Sequence, residues 1–110
     1  MAPIARRLRQ LPVVDLLGYE VPVAVGLKVR LVGLSHLDHE RAGVGLLIPR
    51  CRSIHTFGMR FALDLVFLDR DGRPCSVRGG VLPRHLAWDR RASAVLELPA
   101  NSGALPLSAR

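Results

Sequence analysis

Short apolar runs separated by turn residues dominate the chain. Strands of this length between turn signals predict a mainly β fold, a compact antiparallel β-barrel or sandwich. The link Asp69-Arg70-Asp71-Gly72 predicts a hairpin turn, in which Asp69 and Asp71 cap backbone N–H groups and Gly72 supplies a positive φ. The predicted strands are Val13–Leu17, Val21–Val25, Gly45–Pro49, Ser53–Phe57, Ala62–Leu68, Arg73–Val81 and Ser93–Leu98.

One stretch has a helical period instead. Leu27, Leu31 and Leu34 are spaced four and three residues apart, which predicts one short helix over about residues 26–35. The segment Pro83–Arg91 shows neither period, so we expect it to be a loop.

The length of 110 residues predicts a single globular β domain over residues 13–99, between a flexible basic arm at 1–12 and a C-terminal tail at 100–110. No apolar run is long enough to span a membrane. The basic N-terminus is not followed by the apolar core of a signal peptide, so we expect a cytoplasmic protein. In a reducing compartment Cys51 and Cys75 remain thiols.

The net charge of +7 comes from fifteen arginines and one lysine. An excess of this kind raises the hypothesis of nucleic-acid binding. However, the basic residues are scattered from Arg6 to Arg110 without a basic helix face or interleaved aromatic residues. A compositional bias of the genome explains such scatter better than a nucleic-acid interface does.

Asp64 is the first candidate for a functional site. It shares one face of a predicted strand with Ala62 and Val66, and both faces of that strand are apolar, which indicates a central strand. A carboxylate in such surroundings needs a cation or several hydrogen-bond donors. It is either a pocket carboxylate or one half of a structural ion pair with Arg60 or Arg30, and the ion pair is the favoured interpretation.

Arg30 and His55 are the other candidates for chemistry. The Arg30 guanidinium suits a bidentate grip on a carboxylate or an anionic ligand. His55 is either a general base in the same cleft or a packed, hydrogen-bonded side chain. Thr56 and Met59 complete the candidate ligand-binding or partner face with Arg30, His55 and Asp64, provided that these residues converge.

The sequence predicts no metal site and no cofactor. His36 and His39 have a spacing that fits a helix face, but they lie in a predicted loop without enough further ligands. The Asp69–Gly72 turn lacks the glycine and the glutamate that an EF-hand has at its sixth and twelfth positions. A nucleophile pair of Cys51 and His55 lacks an oxyanion-hole signature.

Several ordered motifs together resemble domain-of-unknown-function family 192. The resemblance covers roughly residues 21–101 and implies a compact, mostly antiparallel β-barrel or sandwich with one short helix. It implies no reaction. The glycine-containing stretch with which the family closes its last strand is not matched by residues 101–110. The motifs are Arg30-Leu-Val-Gly33-Leu34, His55-Thr-Phe57-Gly58-Met59, Ala62-Leu63-Asp64 and Val95-Leu-Glu97-Leu98.

We therefore expect a non-catalytic accessory module that binds a small anionic ligand or a protein partner near the Arg50–Met59 turn and Asp64. A protein partner would require an exposed apolar surface. Two alternatives stay open: a small hydrolase-like enzyme that uses Arg30, His55 and Asp64, and nucleic-acid binding through the arginines. The sequence does not indicate the ligand, the partner or the oligomeric state.

Overall fold

The structure, a computed structural model, describes residues 6–16, 18–25, 34, 37, 42–43 and 45–100. The strands pair in antiparallel fashion, which confirms the predicted mainly β fold. The predicted helix over 26–35 lies outside the described residues except for Leu34. The described elements are α1 (Arg6–Arg9), β1 (Val13–Leu16), β2 (Tyr19–Pro22), β3 (Leu46–Pro49), β4 (Ser53–His55), β5 (Leu63–Leu68), β6 (Pro74–Val81), β7 (Leu86–Trp88) and β8 (Ala94–Pro99).

A four-stranded sheet in the order β3-β8-β5-β6 forms the centre of the molecule. Every residue of β5 is buried because its two neighbouring strands and the layers on both faces cover it. The strand that carries Asp64 is therefore central, as its two apolar faces predict. β6 lies at the edge of this sheet.

Two small two-stranded sheets accompany the central sheet. The β1–β2 hairpin contributes Val21 to a core cluster that includes Val66 and Leu96. The β4–β7 pair contributes Ile54 and Ala87 to the core cluster that includes Leu65, Phe67 and Val95. Within the described ranges the sheets are not closed into a barrel, and their arrangement is consistent with the predicted barrel-like or sandwich-like fold.

β7 corrects the expectation of a loop over Pro83–Arg91. Leu86 pairs with His55 and Trp88 with Ser53, while Ala87 between them is buried. Three residues are too few to show a period of two against the surrounding polar residues, which explains why the sequence did not predict this strand.

Two further observations bear on the sequence-based expectations. Cys51 and Cys75 are not joined by a disulfide, and each Sγ donates a hydrogen bond to a backbone carbonyl. No helix in the part of the chain that the structure describes has the length and apolar character needed to cross a membrane.

Candidate functional site

The residues predicted to form the site are not gathered into one cleft by the described part of the structure. Arg30 lies outside the described residues. His55 is exposed on β4, and its ring packs 5.7 Å from the ring of Phe57. Asp64 is buried in β5, and no hydrogen bond or ion pair between described residues joins it to His55.

Asp64 fastens a bulge at the edge of the central sheet. The register between β5 and β6 shifts opposite Asp64, so that Leu63 faces Val81 while Leu65 faces Arg78. The extra backbone on β6 includes Gly80, which has a φ of +62° and donates its N–H to Asp64 Oδ1 at 2.8 Å. Because a backbone N–H is the observed donor, the geometry gives Asp64 a structural task.

Thr56 ties the loop before β7 to the end of β4. Its hydroxyl donates to the Leu82 carbonyl at 2.7 Å and accepts from the His85 N–H at 2.8 Å. Its backbone N–H donates to the His85 carbonyl, and its carbonyl accepts from the N–H groups of Arg84 and Met59. The Thr56 side chain is fully buried, so these bonds hold the loop from within the protein.

The Met59 side chain packs beneath the turn that follows Thr56. It is buried in the core cluster that contains Ile54 and Ala87. The structure thus places Thr56 and Met59 beneath the candidate face, where they support the exposed residues around them.

The outward side of the β4–β7 pair carries an exposed apolar surface. Leu86 and Trp88 alternate with the buried Ala87, so that both point away from the core. Leu82 lies on the loop that Thr56 holds, and Phe57 packs beside His55, the cross-strand partner of Leu86. We call these four residues the β7 surface: Phe57, Leu82, Leu86 and Trp88, which are 52%, 60%, 66% and 62% exposed.

A groove runs beside the β7 surface, between β7 and the edge strand β6. It has a volume of about 540 Å³, and Gly80 and Val81 form part of its lining on the β6 side. Arg78 and His85 are its basic side chains, and no carboxylate lines it. The Arg78 guanidinium also lies 5.8 Å from the centre of the Phe67 ring, which stabilises the cation through the ring's π electrons.

An ionic cluster fixes the far end of β7 against β6. The Asp89 carboxylate accepts a hydrogen bond from the Ser76 hydroxyl at 2.6 Å and pairs with the Arg91 guanidinium at 2.8 Å. Arg91 also donates to the Cys75 carbonyl at 2.9 Å. The hydrogen bonds that Asp89 accepts, above all the one from the Arg91 side chain and next the one from Ser76, hold the pKa of Asp89 well below its usual value. The Asp89–Arg91 pair therefore stays charged.

Glu97 on β8 is a buried carboxyl that the sequence reasoning did not single out. It is only 4% exposed and lies between Leu46 of β3 and Leu65 of β5 in the sheet register. Oε1 accepts no hydrogen bond in the described structure. Burial without compensation raises the pKa of Glu97 to about 7.

Of the two features that the sequence did not predict, Glu97 could have been found from the sequence, whereas the β7 surface depends on the fold. Glu97 stands inside the run Val95-Leu96-Glu97-Leu98, and the argument that selected Asp64 from an apolar strand applies to it equally. The β7 surface was not predicted because Leu86 and Trp88 lie in a segment expected to be a loop. The pairing of β7 with β4 brings these two residues to the side of His55 and Phe57.

Two solved structures resemble this chain in fold. One is a protein of unknown function from Novosphingobium aromaticivorans DSM 12444, with a TM-score of 0.66 and 19% sequence identity over 94% of this chain and 85% of that protein. The other, from Sinorhizobium meliloti 1021, is described as a "putative transcription regulator", with a TM-score of 0.65 and 24% identity over 74% of this chain and 68% of that protein. At these identities the likeness establishes the fold alone.

No curated protein matches the sequence. A family model does match it, over residues 14–104, which is most of the chain and includes β2 to β8. That model describes a family of uncharacterised function, in agreement with the resemblance carried by the motifs between Arg30 and Leu98. The chain belongs to domain-of-unknown-function family 192, described as "Uncharacterized ACR".

Proposed function

We propose that this protein is a non-catalytic protein-interaction module that binds an acidic, apolar segment of a partner protein on the β7 surface. One observation carries the proposal. Four large apolar side chains, each more than half exposed, lie on one side of the molecule around β4 and β7. Contiguous exposed apolar surface is uncommon on a protein that has no partner, because its burial is favourable.

The charge around this surface defines the chemistry of the partner. Arg78 and His85 line the adjoining groove, and the exposed Arg84 lies on the same loop as His85. Among the residues that line the groove there is no carboxylate to neutralise them. A segment that combines aliphatic or aromatic residues with Asp or Glu therefore matches both the apolar and the electrostatic character of the site.

The surface is held in place before any partner binds. Hydrogen bonds that Thr56 donates and accepts hold the neighbouring loop and turn, and the Asp89–Arg91 pair fixes the end of β7. A preorganised surface loses little conformational entropy on association, which favours binding. Through these bonds the buried Thr56 side chain supports the proposed surface from beneath.

We propose no catalytic role because the candidate polar groups, His55 and Asp64, are engaged in separate contacts. The His55 ring packs against Phe57, and the Asp64 carboxylate serves the Gly80 bulge. A general base and its orienting partner must lie within hydrogen-bond reach of each other. His55 and Asp64 do not form such a pair among the described residues.

The proposal is tested by selecting ligands from a displayed random-peptide library on the immobilised protein. We expect enrichment of peptides with Asp or Glu next to aliphatic or aromatic residues. The chain has a single tryptophan, so the affinity of each selected peptide is measured from the change in Trp88 emission. Peptides that are uniformly basic, or a library from which nothing is enriched, would contradict the proposal.

A matched pair of variants locates the binding. The double variant Leu82→Ser/Leu86→Ser keeps Trp88 as the reporter and removes two exposed apolar side chains, so the core remains intact. Burial of a leucine contributes about 1.5–3 kcal/mol, and we expect the affinity to fall by more than about tenfold. The control is Val14→Ser on β1, an exposed apolar residue outside the β7 surface. Equal affinities of the two variants would rule out this surface.

A further inference from the structure

We propose that this protein has a second binding site, a cavity lined by arginines that holds the phosphate groups of a phosphorylated ligand. The site lies where three connections of the fold meet: the β3–β4 corner, the β5–β6 turn and the β7–β8 turn. It is independent of the β7 surface and of the residues that the sequence proposed for an anionic ligand.

Backbone hydrogen bonds bring the three connections together. The Ser93 N–H donates to the Leu68 carbonyl at 2.7 Å, which joins the β7–β8 turn to the end of β5. The Cys51 N–H donates to the Ser93 carbonyl at 3.2 Å, and the Asp89 N–H donates to the Arg52 carbonyl at 3.0 Å. The β3–β4 corner is thereby fixed to the same turn.

These connections border an open, predominantly polar cavity of about 450 Å³. Arg52 reaches it from the β3–β4 corner, Arg70 from the β5–β6 turn, and Arg90 and Arg91 from the β7–β8 turn. Arginines that are separated by up to 39 positions in the sequence therefore share one cavity. These arginines are scattered along the chain, which argued against an anion-binding surface, but the fold brings them together.

The acidic residues nearby are already engaged by the fold. Asp69 Oδ1 accepts hydrogen bonds from the N–H groups of Asp71 and Arg73, at 2.9 and 3.0 Å. Asp89 is paired with Arg91. Asp71, which is exposed, also lines the cavity.

The remaining arginines are available to a ligand. Between described residues, the side chains of Arg52, Arg70 and Arg90 form no hydrogen bond or ion pair. A guanidinium group binds two phosphate oxygens at once through parallel N–H donors, so three such groups around one cavity suit an anion with several oxygens. The phosphate chemistry is common to small phosphorylated molecules and to nucleic-acid backbones, and the experiment separates these sources.

The test is a titration of ¹⁵N-labelled protein with sodium pyrophosphate at constant ionic strength, followed by amide chemical shifts. We expect saturable shifts confined to the three connections. The double variant Arg70→Gln/Arg90→Gln should bind at least about tenfold more weakly. The control is Arg78→Gln/Arg84→Gln, which removes the same charge beside the β7 surface and should bind as the wild type does.

Parallel titrations with ATP and with a single-stranded oligonucleotide identify the source of the phosphate. Saturation by pyrophosphate and ATP without competition from the oligonucleotide assigns a small phosphorylated ligand. Competition by the oligonucleotide, lost in Arg70→Gln/Arg90→Gln, assigns a nucleic acid. The proposal is overturned by the absence of saturable shifts, or by an equal loss of affinity in both double variants, since the second result reports only the net charge.

Discussion

Replacing Glu97 with glutamine should remove about 3 kcal/mol from the dependence of stability on pH between about 4.5 and 7. The carboxyl is buried between Leu46 and Leu65, and its Oε1 has no hydrogen-bond donor in the described structure. Burial raises its pKa from 4.5 to about 7. In the folded protein the group therefore remains protonated at pH values at which the unfolded chain has already ionised.

The sign and size of the effect follow from these two pKa values. Below pH 4.5 the carboxyl is protonated in both states, and it does not make stability depend on pH. As the pH rises, the unfolded state loses the proton first, so the free energy of unfolding falls until the folded carboxyl also ionises near pH 7. At about 1.4 kcal/mol per pH unit, the wild type loses roughly 3 kcal/mol of stability over this range.

Urea unfolding of the wild type and of Glu97→Gln at a series of pH values measures this loss. The difference between their free energies of unfolding should change by about 3 kcal/mol in favour of the variant between pH 4 and pH 8. This change is independent of any constant cost of burying the amide. The control Glu20→Gln makes the same substitution at an exposed glutamate of β2. Parallel profiles of wild type and Glu97→Gln would refute the reasoning.

Substitutions at three other positions test the architecture around the site by urea unfolding. Gly45→Ala places a Cβ against the carbonyl of Glu97 at a φ of +129°, and we expect it to lower the free energy of unfolding by about 1–3 kcal/mol or more. A variant as stable as the wild type would contradict that geometry. Thr56→Val removes a buried hydroxyl from two strong hydrogen bonds and should cost about 1–3 kcal/mol, with broadened amide signals in the loop before β7. Asp64→Ala leaves the Gly80 N–H without its acceptor at a similar cost, and Asp64→Asn should recover part of it; equal losses would mean that the acceptor oxygen is unimportant.

The regular part of the fold was predictable because its signals are local. The apolar run Ala62–Leu68 and the Asp69–Gly72 turn follow directly from residue type, and the structure forms β5 and a tight turn there. The centrality of β5 was predictable as well, since only a strand covered on both faces can be apolar on both. Its bulge could not be foreseen, because it depends on the pairing of Gly80 with Asp64 across two strands.

The candidate site was harder to predict from the sequence than the strands, because it depends on which residues the fold brings close together. His55 and Thr56 are neighbours in the predicted site, but their burial differs: His55 faces solvent, and Thr56 supports the loop from within the protein. The arginines illustrate the same difficulty. Arg52 and Arg90 lie far apart in sequence, and only the three hydrogen-bonded connections place them around one cavity.

The most direct test of the proposed function is an amide chemical-shift map of the ¹⁵N-labelled protein titrated with a peptide selected from the library. Binding at the β7 surface predicts that the largest shifts fall on β4, on β7 and on the loop between Leu82 and His85, together with a shift of the Trp88 indole N–H. Largest shifts on the β1–β2 hairpin, or on the turns that carry Arg70 and Arg90, would contradict the assignment of the β7 surface as the partner-binding site.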